Sequence, residues 1–524
     1  MSINYECVPG KLFASSDLLS ECANLYSLHY GRWGRNMGER AGKNISLTAN
    51  RLRDWLSHGP AAIYLAKDNG VLVGYAIAIR LHVACYGTIS WVTQLVVHED
   101  YRNQGIAKNL LYSLWGFSDD FAWGLISANP YAIRALEKTT RRRCVPERIK
   151  KNSRKLLAIG KDYLPYIDET TELDITSNVS KINTLFFSDH SNVSSMIRNA
   201  ETTGAPWLLG SLEEGWEWFA FTFQDQTQME LSAHEIENML TASDQSVKEA
   251  YRRMVLSQDQ TWMENVEHEI AFIMRECNLS PGDLVYDFGC GNGRHSFALA
   301  QNGVKVKAID YIDSHFTAYR DLLEKQQNVE FFLDDCRTVR FEEKAKAAIC
   351  LYDVIGSYAD NEENKKIIRS LYDSIQPDGT LILSVMNYEM TEAFAKSRFS
   401  IVDRPNEILS LRPCNIMATT GNVFNPDFYL VDTVTQVIYR KEQFSRENDL
   451  PVELIVRDRR FTKREIETMC EDVGFTVELS RYVNAKDWVT GFEATDKKAK
   501  EILLKCRKKM EAPKNLFDFD DDYD

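Results

Sequence analysis

The sequence contains no C-x-x-C pair, although it has eleven cysteines among its 524 residues. Scattered cysteines in an odd number argue against a zinc site or a disulfide framework, and they favour a reduced compartment. The sequence also lacks a long apolar run, since the stretch 71–79 is cut short by Arg80. No basic-plus-apolar signal opens the chain. We therefore expect a cytoplasmic protein with no membrane-spanning segment and no bound metal.

Positively charged residues are outnumbered by negatively charged ones. The 62 Lys and Arg and the 76 Asp and Glu give a net charge of −14. This balance argues against broad binding to nucleic acid or anionic membranes, although it leaves room for a local basic patch. Hydrophobic residues make up 44% of the chain and charged residues 26%, as is typical of globular proteins. A chain of this length predicts two domains.

Three alternate glycines separate a predicted strand from a predicted helix in the second half of the chain. The strand 284–288 leads into Gly289, Gly291 and Gly293, and the next strand ends at Asp310. A glycine-rich turn lets a ligand approach the backbone closely, and an acid at the next strand end can hold ribose hydroxyls. The pattern predicts a nucleotide-bearing cofactor at the carboxyl edge of a parallel sheet.

The glycine spacing excludes the dinucleotide fingerprint G-x-G-x-x-G, because Arg294 stands where its last glycine would be. The series 287–293 instead resembles motif I of the class I S-adenosylmethionine (SAM) methyltransferases of the small-molecule type. The resemblance implies SAM contacts from Asp287, Gly289, Gly291, Gly293 and Asp310. It also implies that Asp335 receives the adenine amino group, that the Cys336 amide contacts the adenine ring, and that Tyr352 begins motif IV.

Strands and helices alternate after Asp310, which predicts a Rossmann-like, doubly wound parallel sheet. Residues 392–460 break the alternation and predict an antiparallel insertion, which could form a lid that carries specificity. The resemblance to the methyltransferases also implies that the apolar run 502–506 is a last strand, which pairs antiparallel beside its predecessor.

An earlier strand, turn and helix predict an anion site. The strand 89–97 leads through an Arg-x-x-Gly-x-Ala turn at 102–107 into the helix 108–115. Amides at a helix N-terminus point at phosphate oxygens. The stretch resembles motif A of the GNAT acyltransferases, which bind acetyl-CoA there, and the likeness extends over 62–140. It implies an acyl-CoA site made of Leu95, Val97, Arg102, Gln104, Gly105, Ile106, Ala107 and Asn129.

One departure puts acyl transfer in doubt. Many GNAT enzymes have a tyrosine that protonates the leaving thiolate, and Leu136 occupies the matching position here. Glu99 is a candidate general base for an amine, or else an exposed loop carboxylate. Binding of acyl-CoA is thus better supported than its reaction.

For methyl transfer, the catalytic candidates are His295 and Tyr358, and His295 is also interpreted as a structural residue beside the cofactor. An Asn-Pro-Pro-Tyr-type tetrapeptide, which would indicate methylation of an exocyclic base nitrogen or a glutamine amide, does not follow the fourth strand. Its absence favours a small-molecule acceptor.

The predicted domains are a GNAT-like mixed α/β domain at 1–228, a linker at 229–246, a methyltransferase domain at 247–512 and an acidic tail at 513–524. The first domain is expected to contain a helical excursion at about 141–205. A basic segment, 134–155, is a solvated helix face, a clamp for a CoA phosphate, or a contact for nucleic acid.

Three functions remain open from the sequence. One is a bifunctional enzyme that acylates and methylates. A second is a methyltransferase whose GNAT-like half is a silent binding or dimerisation module. A third is a modifier of nucleic acid or protein that docks through 134–155. The oligomeric state is not predicted.

Overall fold

The structure is a computed structural model that describes residues 3–13, 17–57, 60–202, 205–253, 266–312, 327–446, 449–485 and 487–509. The chain divides into two compact units, Met1–Ala250 with Gln443–Ile455, and Tyr251–Glu442 with Val456–Asp524. The first unit therefore includes a short segment from late in the chain. Among the described helices, none combines the length and the apolarity that crossing a membrane requires.

The first unit is built on an eight-stranded sheet with the order β1-β2-β3-β4-β5-β8-β7-β6. Its strands are β1 (Ile3–Pro9), β2 (Ala61–Asp68), β3 (Val71–Val83), β4 (Gly87–Val97), β5 (Ala122–Ser127), β6 (Leu173–Ile175), β7 (Ser180–Phe186) and β8 (Gly215–Phe223). Its helices are α1 (Gly10–Phe13), α2 (Leu18–His29), α3 (Ala49–Ser57), α4 (Ile106–Trp115), α5 (Pro130–Thr140), α6 (Pro146–Tyr163), α7 (Val193–Thr202) and α8 (Ala233–Arg253). Two 3₁₀ turns lie at Arg35–Arg40 and Glu99–Tyr101.

Strands β4 and β5 are the parallel pair of this sheet. Their ladder runs from Ile89 opposite Ala122 to Val92 opposite Leu125, and β4 then continues to Val97 beyond the last pair. The other described neighbours pair antiparallel. The turn at 102–107 therefore follows the end of β4, beyond the last residue of β4 that pairs with β5.

Two segments of the first unit differ from the sequence-based expectation. The excursion at 141–205 contains β6 and β7 as well as two helices, because alternate residues such as Ser180 and Ile182 are buried where β7 pairs with β8. The segment 229–246, predicted as a linker, lies largely in α8. Ile236, Met239 and Leu240 form a buried stripe at helical spacing that a polar composition hides.

The second unit contains an eight-stranded sheet with the order β11-β10-β9-β12-β13-β21-β19-β20. These strands are β9 (Leu284–Phe288), β10 (Lys305–Asp310), β11 (Val329–Leu333), β12 (Ala345–Cys350), β13 (Ile375–Met386), β19 (Phe475–Asn484), β20 (Asp487–Phe492) and β21 (Glu501–Lys508). The helices are α9 (Val266–Glu276), α10 (Arg294–Gln301), α11 (Asn361–Ser374), α12 (Tyr388–Phe394), α13 (Ile416–Thr419) and α14 (Lys463–Val473), with a 3₁₀ turn at Pro405–Ser410.

The predicted doubly wound sheet is confirmed. Strands β9 to β13 pair parallel, with β9 between β10 and β12. The last strand, β21, pairs antiparallel with both β13 and β19. Because β9, β10 and β12 run in the same direction, the residues that follow them meet at one edge of the sheet.

The insertion forms a five-stranded sheet of β14 (Arg398–Phe399), β15 (Pro413–Cys414), β16 (Tyr429–Asp432), β17 (Val437–Arg446) and β18 (Asp449–Arg459). It is mixed rather than purely antiparallel, since β14 pairs parallel with β16 and β15 pairs parallel with β17. Both of these strands are two-residue pieces of connecting chain. Two predictions lie outside the described residues: most of the first helix of the alternation after Asp310, and the acidic tail at 513–524.

Candidate cofactor and substrate sites

The loop between β9 and α10 is packed at both ends and open at its centre. Gly289, Gly291 and Gly293 have φ angles of 71°, 54° and 73°, a region that favours glycine. A Cβ on Gly289 would lie 2.3 Å from Val354 Cγ2, and one on Gly293 would lie 2.8 Å from Phe331 Cζ. A Cβ on Gly291 would meet no atom of the described residues within 4 Å. The middle glycine is thus where a ligand can approach the backbone.

Two buried carboxylates hold this loop in place. Asp310 accepts hydrogen bonds from the Gly291 amide at 2.8 Å and from the Ile312 amide at 3.0 Å. Asp287 accepts a hydrogen bond of 2.6 Å from the Ser296 hydroxyl, and burial raises the pKa of its carboxyl group. The loop is therefore tied to the end of β10 on one side and to α10 on the other.

An ion-pair cluster stands beyond β11. Asp335 pairs with Arg337 through an Nη2–Oδ2 contact of 2.6 Å and an Nε–Oδ1 contact of 3.0 Å. The Arg337 guanidinium lies 4.5 Å from the ring centroid of Tyr358 and also pairs with Glu363. The side chain of Cys336 is buried. Asp335 and Tyr358 are thus brought together through Arg337.

A second cluster is centred on Glu269 of α9. The Tyr352 hydroxyl donates to Glu269 Oε1 at 2.6 Å, and His295 Nε2 lies 2.6 Å from Oε2. Arg294 Nη2 is 3.5 Å from the same Oε2, and its guanidinium lies 4.9 Å from the Tyr352 ring centroid. The Tyr352 amide donates to Ser384 Oγ at 2.7 Å. Residues that follow two different strands therefore converge on one helix side chain.

Burial shifts the pKa values of His295 and Glu269 in opposite directions. It lowers the pKa of His295 to about 3, an effect that the charge of Arg294 strengthens. It raises the pKa of Glu269 to about 7. A neutral imidazole whose Nε2 contacts Glu269 fits the structural role considered for His295 better than proton transfer from a substrate.

Charged groups of the insertion act on Asp353, which directly follows Tyr352. The Asp353 side chain is exposed, although many protein atoms lie around its carboxyl group. Burial raises the pKa of its carboxyl group, the charge of Asp458 adds to this effect, and Arg440 and Arg460 oppose it. Arg440 in turn pairs with Asp458. The insertion thus adds both signs of charge near the fourth strand end.

Arg460 is fully buried and anchors this part of the insertion. Its Nη1 donates to Thr391 Oγ1 at 2.7 Å, and its Nη2 donates to the Val423 carbonyl at 2.9 Å. The guanidinium also lies 4.4 Å from the ring centroid of Phe424. These contacts fix a positive charge beside Asp353.

In the first unit, Gly105 caps α4 with a φ of 83°, and the nearest atom to a Cβ there would be Lys108 Cε at 3.9 Å. Ile106 and Ala107 open the helix, so their amides belong to the turn whose N–H groups have no intrahelical acceptor. Arg102 donates to the Val97 carbonyl at 3.3 Å, which fastens the turn to the end of β4.

Further contacts hold the turn and the neighbouring helix. Gln104 Nε2 donates to the Asp100 carbonyl at 3.0 Å. Asn129 caps α5, since its Oδ1 accepts from the Tyr131 amide at 2.9 Å. Leu95 lies in β4 opposite Ala76. These predicted acyl-CoA contacts are thus placed near the carboxyl ends of β4 and β5.

The structure also shows the surroundings of Leu136 and Glu99. Leu136 is completely buried in the core and has no polar atom to offer a thiolate. The Glu99 side chain is 68% exposed, with its Oε1 4.0 Å from His29 Nδ1. The structure thus gives Glu99 the environment of a surface carboxylate.

Many cations of the basic segment are neutralised within the unit. Arg134 and Arg143 both contact Glu137, at 2.5 Å and 2.9 Å. Lys138 Nζ lies 3.2 Å from Glu235 Oε1. This pairing weakens the interpretation of 134–155 as a docking patch for nucleic acid.

Comparison with known proteins gives one family match in each unit. A methyltransferase-domain family model matches residues 285–379, and the GNAT acetyltransferase family model matches residues 25–139. The chain contains a methyltransferase-family domain and a GNAT-family domain. Both predicted resemblances are confirmed.

The individual relatives are distant. The chain is 26% identical over 132 residues to glycine/sarcosine N-methyltransferase of Aphanothece halophytica, covering 25% of this chain and 50% of that protein. It is 23% identical over 130 residues to the putative methyltransferase YqeM of Bacillus subtilis strain 168, covering 24% and 53%. The chain thus spans about half the length of these curated relatives. The structure of the CcbJ methyltransferase from Streptomyces caelestis has a TM-score of 0.37 and 14% identity, covering 50% of this chain and 96% of that one.

Sequence reasoning missed two acids of the methyltransferase domain, Glu269 and Glu501. Glu501 is 3% exposed, and its Oε2 has no hydrogen-bond partner among the described residues. Burial raises the pKa of Glu501 to about 8, and the charge of Glu269 adds to this effect. The available signal was an acid within an apolar pattern: Glu269 precedes Ile270, and Glu501 precedes Ile502.

Substitution of Glu501 tests the cost of this burial. The folded chain holds the Glu501 proton more tightly than the unfolded chain, where the pKa is near 4.5. The stability that this tighter proton binding contributes is therefore fully present below about pH 4.5, and it is lost as the pH rises through about 8. We expect the free energy of unfolding of Glu501→Gln, relative to wild type, to increase over that window by up to about 1.4 kcal/mol per pH unit. Urea unfolding at several pH values measures it.

Glu493, an exposed residue that precedes Glu501 in the chain, supplies the control. Glu493→Gln should change the free energy of unfolding little at any of these pH values. A constant difference between Glu501→Gln and wild type across the window would contradict the assignment.

Proposed function

We propose that the methyltransferase domain binds SAM and transfers its methyl group to a small-molecule acceptor. The observation that carries the proposal is the open centre of the glycine loop. Gly291 has a positive φ and an amide fixed by Asp310, and no atom of the described part of the chain lies within 4 Å of the position of a Cβ. Such a surface lets the cofactor lie directly on the backbone.

The residues present fit SAM. The Asp310 carboxylate lies at the end of β10, where it would accept hydrogen bonds from ribose hydroxyls. The Asp335–Arg337 pair stands at the neighbouring strand end, where the adenine would lie. When bound, the sulfonium supplies an electrophilic methyl group for an in-line displacement. The protein's part is to align the acceptor and to remove its proton.

A small polar acceptor is supported by the surroundings of Asp353. Asp458, Arg440 and Arg460 all act on this carboxylate, so the acceptor would meet fixed charges of both signs. The raised pKa of Asp353 suits a group that takes up a proton as a nucleophile loses one. Asp353 is therefore the proton-accepting group that we assign to this domain.

A matched pair of glycine substitutions tests cofactor binding. Gly291→Ala adds a methyl group at the open centre of the loop and should weaken SAM binding at least about tenfold. Gly282→Ala imposes similar backbone strain, because Gly282 has a φ of 89° and equally open surroundings, but it precedes β9 at the opposite end of the strand. It should leave the affinity unchanged. Calorimetry measures the affinity of each variant for SAM. Equal affinities of the two variants would contradict a SAM site at Gly291.

The acceptor class is tested by mass spectrometry of a cell extract incubated with the protein and SAM. We expect the mass gain of one methyl group on a low-molecular-weight compound, and its loss with Gly291→Ala. Transfer of labelled methyl groups only to the protein or nucleic-acid fraction would overturn the small-molecule proposal.

We further propose that the GNAT domain binds acyl-CoA and transfers the acyl group, which would make the chain bifunctional. The open surroundings of Gly105 and the amides that open α4, which have no intrahelical acceptor, support a pyrophosphate site. The alternative, a silent module, is favoured by the burial of Leu136.

Gly105→Ala places a methyl group in this anion cradle and should weaken acetyl-CoA binding at least about tenfold. Gly70→Ala is the matched control. Gly70 has a φ of 84°, and among the residues that the structure describes no atom lies within 4 Å of a Cβ there, but Gly70 lies in the β2–β3 turn. Calorimetry with acetyl-CoA compares them. Failure of the wild-type protein to bind acetyl-CoA would remove the second function.

A further inference from the structure

The first unit contains a short segment that comes from the insertion late in the chain. Residues 443–455 belong to this unit, whereas the residues on both sides of them belong to the second unit. Strand β17 therefore enters the first unit at Gln443, and strand β18 leaves it after Ile455. A segment so distant in the sequence remains in this unit only if specific contacts hold it.

The first unit holds this segment through its main-chain groups. The Phe117 amide donates to the Glu453 carbonyl at 2.7 Å, and the Glu453 amide donates to Ser118 Oγ at 3.1 Å. The Ser243 hydroxyl of α8 donates to the Ile455 carbonyl at 2.9 Å and accepts from the Ile455 amide at 2.9 Å. Residues 453 and 455 are thus bound in the manner of an extended peptide that is recognised by its backbone.

A buried ion pair receives the start of the segment. Arg80 Nη2 lies 2.8 Å from Asp120 Oδ1, and the two side chains are 5% and 3% exposed. Ser90 Oγ donates to Asp120 Oδ2 at 2.5 Å. Arg80 Nη1 donates to the carbonyls of Leu450 and Pro451, at 3.1 Å and 2.6 Å. Because an unpaired buried donor is costly, these carbonyls complete the surroundings of the guanidinium.

The segment also packs closely against the end of α4. Gly116 forms a parallel bridge with Glu453 and has a φ of 57° and a ψ of −126°. A Cβ on Gly116 would collide with the Glu453 carbonyl oxygen, and it would lie 3.0 Å from Leu454 Cδ2 and from Val452 Cγ2. Val452 and Leu454 are each 1% exposed. The segment is therefore packed as an integral part of the first unit.

These contacts lie away from the predicted acyl-CoA site. Ser90 is near the start of β4 and Asp120 precedes β5, whereas the turn at 102–107 follows the end of β4. Gly116 caps the C-terminal end of α4, and the turn leads into its N-terminal end. Binding of the segment and binding of acyl-CoA thus use opposite ends of the same elements.

The strands that continue from the segment carry charges of the methyltransferase domain. Arg440 is three residues before Gln443, and Asp458 is three residues after Ile455. The two side chains pair with each other, and they shift the pKa of Asp353 in opposite directions. Because a strand rises about 3.3 Å per residue, about 10 Å of extended backbone separates each charge from the segment.

We propose that the first unit binds residues 450–455 as an extended peptide and thereby restrains the two strands that present Arg440 and Asp458 to the methyl acceptor. The docking surface consists of Arg80, Gly116, Phe117, Ser118 and Ser243. Its members act on the reaction only through the hairpin of β17 and β18, and are therefore positioning residues. Charges that act on a reacting group need a fixed position. The proposal rests on the methyl transfer proposed above, to which Asp353 is assigned.

A matched pair of glycine variants tests the docking in the full chain. Gly116→Ala places a methyl group against the Glu453 carbonyl. Gly38→Ala imposes the same backbone strain, because Gly38 has a φ of 56° and a ψ of −125°, but no atom of the described residues lies within 4 Å of a Cβ there. Hydrogen exchange measures the amides of residues 453 and 455. Exchange should be at least about tenfold faster in Gly116→Ala and unchanged in Gly38→Ala.

A serine variant tests the same docking without a change in backbone strain. Ser243→Ala removes both hydrogen bonds to Ile455 and should also speed exchange of the Ile455 amide. Thr241→Ala changes an exposed residue of the same helix and should leave this exchange at the wild-type rate.

Three further measurements separate positioning from a general effect on folding. Calorimetry gives the affinity of each variant for SAM and for acetyl-CoA, and both affinities should equal those of the wild type. Methyl transfer to the low-molecular-weight fraction of a cell extract should fall at least about tenfold in Gly116→Ala and Ser243→Ala. The controls Gly38→Ala and Thr241→Ala should keep the wild-type rate.

Each outcome supports or overturns a stated part of the proposal. Wild-type exchange at 453 and 455 in Gly116→Ala and Ser243→Ala overturns the docking. Faster exchange with wild-type methyl transfer overturns the restraint, and loss of SAM and acetyl-CoA binding in these variants overturns the positioning role. If the wild-type protein methylates nothing in the extract, the methyl-transfer function fails. Faster exchange at 437–442 and 456–459 in Gly116→Ala then still supports the restraint on the strands.

Discussion

The hydrogen bond between the Gly291 amide and Asp310 is the constraint on which the second unit's site depends. At 2.8 Å, it ties the middle of the glycine loop to the end of β10. The loop in turn sets where α10 begins, and therefore where Arg294 and His295 lie. Those two residues meet Glu269 of α9. One backbone contact thus determines the position of a side-chain cluster that joins the loop, the preceding helix and the fourth strand end.

Both units bury carboxylates where water would normally solvate them. Glu269 and Glu501 do so in the methyltransferase domain, and Glu217 does so in the GNAT domain. Burial raises the pKa of all three groups, to about 7, 8 and 7 respectively. Such positions destabilise the fold at neutral pH, which makes each of them a candidate for contact with a ligand.

Much of the fold could be predicted from the sequence, because its signals are local. The glycine series 289–293 needs only neighbouring residues to be recognised, and the alternation after it indicates a doubly wound sheet. Strands β14 and β15 could not be predicted, since two residues carry no periodicity and their pairing depends on β16 and β17. Helix α8 was missed because its apolar stripe lies in a strongly polar segment.

The candidate sites were less predictable than the fold, because they depend on contacts between residues that are distant in the sequence. Asp310 is visible because it ends a strand at a fixed distance from the glycines, whereas Glu217 meets Thr184 and Ala128 only after the sheet has formed. The sequence WEWFAFTF indicates a strand, but nothing in it shows which residues its single acid, Glu217, will contact. Conversely, Arg337 converts Asp335 from an isolated carboxylate into half of an ion pair. Tertiary contacts of this kind decide the chemistry of a residue that the sequence can only place.

Both proposed reactions impose the same chemical requirement. Methyl transfer from a sulfonium and acyl transfer from a thioester each need a nucleophile that has lost its proton. A carboxylate with an ordinary pKa is a weak base at neutral pH, and burial is the means by which a protein strengthens it. In the methyltransferase domain, the raised pKa of Asp353, which follows β12, meets this condition.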